Sequence, residues 1–568
     1  MRHWITTLNP QKMYNLARRC ELLLLSASAE DSLRCIHSVL PLVSIPLVEN
    51  RSTNPSKFDF FYKLSSRQVG QVSKEIIHSS SENRMQTNIV HLRERRDFVF
   101  NKNLYKWRLQ SFSLPPGPKG LPFIGNVLDM PSGEERWKAV DEMSKKYGNI
   151  MYLYFPNQPT IIVDSAQVAI DLLEKRSQIY SDRARGIVEK YIGWEWNLGS
   201  LPYGSVWRAT RRCFHQYFNQ NAVLSHQDIQ IKETRTFLRR VLEHPEDCAQ
   251  LSRLMFSASI LRIVLGRSPG LFMVEYLPFL QYLPSWFPGA TFKKVAKHIS
   301  PYVLAMRNEA FDKVKDAMIS GNVEPCLTQT LITKIRTEQD EDVARNVTGV
   351  AFGASSDTSA SASYAFLITM AQYPDIQQRA QAEIDAHLSP DKLLSRLEDI
   401  REIPYLRALL MEILRFRVIV PFGVPHRLIQ EDFYNGYVLP KGTIVVPNIW
   451  SMLNNPEDYP EPEVFNPDRF LKDGAINPSV RDPTTIAFGF GRRICPGRPL
   501  AINSLLLQFA SILQVFNVLA ATDENGCPMN LNVRMSSGLV SMPEQVPCVL
   551  LPRSDAAREL VEKWINEE

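Results

Sequence analysis

Cys495 stands at the centre of Phe488-Gly489-Phe490-Gly491-Arg492-Arg493-Ile494-Cys495-Pro496-Gly497, a setting that suits a thiolate. Two glycines permit tight backbone turns, two arginines precede the sulfur, and Pro496 leads into a run that reads as a buried helix. Helix N-terminal amides and guanidinium groups both favour S⁻ over SH, and a deprotonated sulfur is what a soft metal such as haem iron takes. A single cysteine among apolar residues is ordinarily just a small buried hydrophobe. The spacing Phe-x-x-Gly-x-Arg-x-Cys-x-Gly, however, sets Phe488, Gly491, Arg493 and Gly497 around the sulfur in a way that packing alone does not require.

Other residues upstream have types and spacings that matter. Trp207 and Arg211 lie four apart, so on a helix they share one face; alone, they describe an aromatic-over-guanidinium surface contact. The run Ala354-Ser355-Ser356-Asp357-Thr358-Ser359 falls in a long helical stretch. There its hydroxyls can bond back to the preceding turn and bend it, or form a packing seam against another helix. Glu412 and Arg415 are one turn apart among Ala408, Leu409, Leu410, Met411, Ile413, Leu414 and Phe416. A Glu and an Arg buried there demand partners, because an unpaired charge is strongly destabilising, and the segment Phe465-Asn466-Pro467-Asp468-Arg469-Phe470 offers one.

On these residues the chain resembles the cytochrome P450 family from about Leu114 to about Arg553, and most nearly its fungal microsomal members of the O-methylsterigmatocystin oxidoreductase-like type. The resemblance implies a haem b cofactor with Cys495 as axial thiolate and sole metal ligand from the protein. It implies that Trp207, Arg211 and Arg493, together with His426 in Pro425-His426-Arg427, hold the haem propionates. A buried dianion needs such donors. By the same likeness, Asp357 and Thr358 lie at the middle of the distal helix, where acid and hydroxyl help deliver protons to oxygen. Ser355 departs from the glycine usual at its position and adds bulk and a hydroxyl there. Glu412, Arg415 and Arg469 correspond to a structural triad behind the cysteine loop.

The elements that must position these groups are mainly helical. Periodicity predicts helices near 136–147, 205–217, 229–243, 301–319, 343–372, 375–387, 404–417 and 498–519, the last apolar almost all round. Ile150–Tyr154 and Thr160–Val163 read as short strands. The expected fold class is therefore mainly α with a minor β portion, which by resemblance is a single haem domain of the P450 fold. With 44% hydrophobic and 22% charged residues the chain is an ordinary globular one. Eight cysteines without short-range pairs suggest neither a zinc site nor a disulfide framework.

Domain organisation is read as a basic N-terminal extension over 1–113, a haem-thiolate domain over 114–555 and a C-terminal tail over 556–568. Residues 1–113 hold 17 Lys+Arg and 9 Asp+Glu, so this leader carries +8 of a total net charge of +5. A basic leader on a nearly neutral body points to targeting or a membrane surface, with no nucleic-acid role. The most apolar leader segment, Ile36 to Val48, is too short and broken to span a bilayer. The acid-free stretch before Glu21 offers an organelle transit peptide as an alternative. The proline-rich run Leu114 to Asn126 is a stiff lead-in.

The functional expectation is a monooxygenase that inserts one atom of O2 into an apolar small organic substrate. With no dinucleotide-binding Gly-x-Gly-x-x-Gly fingerprint in the chain, electrons come from outside. The resemblance implies an NADPH-dependent cytochrome reductase docking near the cysteine-side face. It also implies peripheral association with the cytosolic face of the endoplasmic reticulum membrane. Two rivals stand beside this: a haem-thiolate isomerase or dehydratase that does not activate O2, and a haem-binding relic without turnover. Only nine residues separate Gly266 from Tyr276, where the family has more helical turns over the substrate.

Overall fold

The structure is a computed structural model that describes residues 113–156, 158–184, 186–255, 292–323, 326–388 and 397–566. The basic leader before residue 113, its segment Ile36 to Val48 and the short passage from 266 to 276 lie outside the described residues. The chain divides into two compact units. Of the second, residues 113–114 and 433–438 are described; there the Val438 amide donates to the Ser113 carbonyl at 3.1 Å. All that follows concerns the first.

Helix α1 (Arg136–Tyr147) leads into strands β1 (Ile150–Phe155) and β2 (Gln158–Val163), which pair antiparallel with Ile150 opposite Val163. After several short helical segments come α2 (Ser205–Phe218), α3 (Gln227–Glu243), α4 (Cys248–Met255) and α5 (Phe292–Ile319). The last begins at Phe292, nine residues before the start expected from periodicity, and continues through Pro301. Helix α6 (Glu338–Gln372) is the spine. The Thr337 hydroxyl accepts from the Asp340 amide at 3.2 Å while Asp340 accepts from the Thr337 amide at 2.9 Å, a reciprocal cap. Glu338, Asp340 and Glu341 in the first turn complement the helix dipole.

Helices α7 (Pro374–His387) and α8 (Pro404–Phe416) each begin on a proline, whose missing N–H is harmless in a first turn. Strands β3 (His426–Arg427) and β4 (Ile444–Pro447) complete a four-stranded sheet in the order β1-β2-β4-β3, with β4 parallel to β2. Helix α9 (Arg498–Val515) is followed directly by β5 (Phe516–Ala520), which pairs antiparallel with β6 (Cys548–Pro552). The helix predicted to reach 519 therefore stops at Val515. From Phe516 burial alternates along the chain, as a half-buried strand requires. Residues 556–568, expected as a tail, include most of α10 (Asp555–Asn566), whose Leu560 and Val561 join the main core.

That core gathers α3, α4, α6, α7, α8 and α9, with Phe366 stacked on Phe509 at 3.9 Å between ring centres. A second cluster joins α2, α5 and α6 through Trp207, Phe214, Val303, Phe311 and Val350. The architecture is mainly helical with a smaller strand portion, as the sequence led us to expect. Among the described residues no helix is long and apolar enough to cross a membrane.

Candidate haem-thiolate site

The loop before α9 is shaped by its glycines. Gly489 and Gly491 take φ of 77° and 55°, a left-handed backbone that side chains rarely adopt. At Gly491 there is a second reason: an added Cβ would lie 2.0 Å from the Leu173 carbonyl oxygen, so the loop is pressed against the π-helical segment Ile170–Lys175. The Cys495 amide closes the loop by donating to the Phe488 carbonyl at 2.9 Å. Gly497 is the residue before α9, and Arg498 to Ile502 of its first turns are only half-buried, whereas every residue from Leu505 to Val515 is buried.

The Cys495 side chain is itself half-buried by solvent contact, yet its sulfur is deep within protein atoms. Burial raises its thiol pKa; the backbone N–H groups of Gly497 and Arg498 and the charges of Arg211 and Arg498 oppose this. The sequence suggested the opposing contributions, but in the protein alone burial outweighs them. Coordination by a metal ion is what deprotonates such a thiol outright.

Beside the loop lies a cluster of buried cations. Arg493 donates to the carbonyls of Ser181 at 2.7 Å, Leu198 at 3.2 Å and Leu201 at 2.8 Å, and its guanidinium lies 4.4 Å from the Trp207 ring centre. Burial lowers its pKa to about 10; Asp182 opposes this and Arg211 adds to it. Arg183 was not singled out from sequence. It is buried and donates to the carbonyls of Gly199, Val424 and Pro425, which fixes the chain just before His426. Its partners are backbone carbonyls, which leave no mark in the sequence. The His426 Nδ1 donates to the Tyr180 carbonyl at 2.9 Å, and burial, with Arg183 and Arg493 nearby, holds the ring pKa well below its usual value. With Nδ1 committed to that carbonyl, Nε2 is the ring atom left to meet another group, and it donates to a carboxylate only when the ring carries its second proton.

Arg211, one helical turn from Trp207 on α2, is the informative member. Burial lowers its pKa while Cys495 raises it, and among the described residues it has no hydrogen-bond or ion-pair partner. A half-buried guanidinium without an anion is unfavourable.

On α6 the hydroxyls bond back as expected: Ser355 Oγ donates to the Ala351 carbonyl at 2.9 Å and Thr358 Oγ1 to the Ala354 carbonyl at 2.8 Å. Ala354 is exposed, whereas Gly353 and Asp357 on either side of it are buried. Asp357, 3% exposed, accepts from Arg253 of α4 at 3.1 Å. Arg253 was also not anticipated, because its partner lies 104 residues away and no local pattern links them.

Behind the loop, Glu412 and Arg415 of α8 are both fully buried, with Arg415 Nε 2.7 Å and its second amino group 2.8 Å from the two carboxylate oxygens. Arg469 Nε reaches Glu412 Oε1 at 3.1 Å, and the Asn466 amide donates to the same oxygen at 2.9 Å. The three residues grouped from sequence are brought together.

The donor set suits haem. A cysteine sulfur beneath backbone N–H groups, a partnerless guanidinium beside it, two further arginines, an indole and an imidazole meet what an iron porphyrin with two carboxylates presents.

Comparison with known proteins agrees. The cytochrome P450 family model matches residues 115–546. Cytochrome P450 monooxygenase COX1 of Coprinopsis cinerea is 37% identical over 79% of this chain and 93% of its own length. Cytochrome P450 monooxygenase claR of Ampulloclitocybe clavipes is 38% identical over 79% and 88%. Tryptamine 4-monooxygenase of Psilocybe cyanescens is 36% identical over 79% and 94%. These relatives are fungal, and their names are not those of the sterigmatocystin type. With the cysteine loop, the cation cluster and matches of this extent, the chain belongs to the cytochrome P450 family, haem-thiolate monooxygenases that draw electrons from a redox partner to insert oxygen into organic substrates.

Proposed function

We propose that Cys495 is the axial ligand, that Trp207, Arg211, Arg493 and His426 hold the propionates, and that Asp357 and Thr358 manage protons for insertion of one oxygen atom into an apolar organic substrate. The observation that carries this reading is Arg211, half-buried beside Cys495 without an anion among the described residues. When bound, the haem supplies O2 activation, with thiolate donation favouring O–O cleavage. The protein's part is to position and to move protons. Thr358 commits its O–H to the Ala354 carbonyl, so its oxygen lone pairs remain to accept a hydrogen bond. Asp357, paired with Arg253, holds its carboxylate on the same helix. One oxygen atom enters the substrate and the other leaves as water, with two electrons and two protons supplied from outside. The electron donor in this reading is an NADPH-dependent reductase, and the basic leader favours peripheral attachment to the cytosolic face of the endoplasmic reticulum membrane.

The relatives' monooxygenase names favour this chemistry over an isomerase, a dehydratase or a relic. The test is a reduced-plus-carbon-monoxide difference spectrum of the purified protein loaded with haem. The wild type and Cys213→Ser should show the thiolate-type Soret band and Cys495→Ser should lack it. A band that survives in Cys495→Ser would refute the ligand assignment.

A further inference from the structure

Between α7, the first turn of α8 and the hairpin of strands Leu471–Lys472 and Ala475–Ile476, the surface forms a cavity of about 320 Å³. None of the residues assigned to haem lines it, and its volume is that of a small-molecule site. Pro404 and Leu471 give it apolar walls. Positive φ at Asp473 and Gly474, 52° and 76°, turns the hairpin so that Lys472 and Asp473 both reach the cavity's edge.

Tyr405 also lines the cavity and is 2% exposed, yet its hydroxyl has no hydrogen-bond partner among the described residues, which is costly for a buried donor and acceptor. The cavity's own charges act on it: the Arg379 guanidinium lies 4.3 Å from the ring centre, and Asp468 and Glu383 are close enough to be felt by the phenol. Burial raises the phenol pKa to about 12, with Arg379 opposing and Asp468 and Glu383 adding, so the group stays neutral and its oxygen can accept.

The remaining charges do not balance. Arg379 is taken by Asp468 at 2.6 Å. Glu383, Asp473 and Lys472 have no ion-pair partner among the described residues, which leaves two carboxylates against one ammonium. An anionic guest would face those carboxylates, and an apolar one would leave the hydroxyl unpaired; a cation with N–H donors answers both. We propose that this cavity binds a small primary alkylammonium, which donates to the Tyr405 hydroxyl and to Glu383 and lays its alkyl stem on Leu471. Lys472, a like charge at the same cavity, competes with it.

The test uses full-length protein loaded with haem, reduced and saturated with carbon monoxide so that an added amine cannot coordinate the iron. n-Butylammonium, butyrate and 1-butanol are titrated at pH 7 by saturation-transfer NMR. The amine should bind more tightly than either of the others. Glu383→Gln should weaken it about fivefold, the worth of one partly exposed charge pair. Tyr405→Phe should weaken it by a similar factor while leaving the urea midpoint no lower, because the hydroxyl removed has no partner among the described residues. Lys472→Gln should strengthen it. Butyrate or butanol binding as well as the amine, or one amine affinity shared by wild type, Glu383→Gln and Lys472→Gln, would overturn the proposal. A lower urea midpoint in Tyr405→Phe would show a hydroxyl already satisfied, and would overturn it too.

Discussion

Replacing Glu412 by Gln tests whether the buried triad holds the cysteine loop's foundation. Glu412 accepts four hydrogen bonds: at Oε1 from the Arg415 amino group, Arg469 Nε and the Asn466 amide, and at Oε2 from Arg415 Nε. A glutamine oxygen in the Oε1 position keeps three of these. Its amide nitrogen then faces the Arg415 N–H, so one charge-assisted bond is lost and two guanidinium groups lose their counter-charge. Neither escapes to water, since Arg415 is 0% exposed and the Arg469 side chain only 7%. The other Arg415 donors already serve the carbonyls of Leu453 and Val464. Removing one partner of a buried pair costs about 3–5 kcal/mol, a large share of the roughly 5–15 kcal/mol that holds a domain together. Urea unfolding of the haem-loaded protein should show a loss of that size, together with a lower haem-to-protein ratio. A loss below about 1 kcal/mol, the range of an exposed ion pair, would refute the reasoning.

Arg211→Gln should leave the protein without haem no less stable by urea unfolding while lowering the haem retained on gel filtration, because the cation removed lacks a partner among the described residues. Loss of stability without haem would contradict this. Gly491→Ala meets a backbone oxygen at 2.0 Å and should abolish most haem incorporation; Gly489→Ala, with open space around its Cβ, should cost only the left-handed strain of about 1 kcal/mol. Similar haem contents for the two would argue against a loop locked to the Leu173 carbonyl. Asp164 accepts from Ser451 at 2.6 Å and Asn448 at 2.8 Å, and burial raises its pKa from 3.8 to about 6. The unfolded chain gives up this proton first, so stability falls as pH rises from about 4 to about 6, by up to about 3 kcal/mol. Asp164→Asn should remove that slope; a wild-type-minus-variant difference in urea midpoint that stays flat from pH 4.5 to 7 would refute it.

What the sequence disclosed follows from how local each interaction is. Cys495, its glycines and the pair Glu412 and Arg415 are encoded within a few residues, and the structure brings them together as their spacing suggested. Arg469 had to be joined to them by resemblance, and it sits where that likeness implied. Arg183 and Arg253 escaped notice for separate reasons, the first because it binds backbone carbonyls, the second because its acid is on a distant helix. The end of α9 was overrun because Phe516 and Val518 continue an apolar run, and only pairing with β6 shows that the period has changed from helix to strand. The upward shift of the Cys495 thiol pKa was missed because neighbouring charges can be read from sequence, whereas depth of burial cannot.

The cation cluster ties cofactor binding to folding. Arg493 depresses Arg183, Arg211 depresses Arg493, and both Arg183 and Arg493 push the His426 pKa down; in every case burial is the larger cause. A cluster assembled for stability alone would include an acid at its centre. Here Asp182 opposes the shift at Arg493, but among the described residues no acid serves Arg211. The arrangement is therefore unfavourable in the protein alone and becomes favourable once two carboxylates enter it. Anything that binds only the folded state stabilises it, by about 4 kcal/mol at a concentration a thousand times its dissociation constant. In the proposed reading, where these guanidinium groups hold the haem propionates, the same charges that weaken the protein alone strengthen its hold on haem.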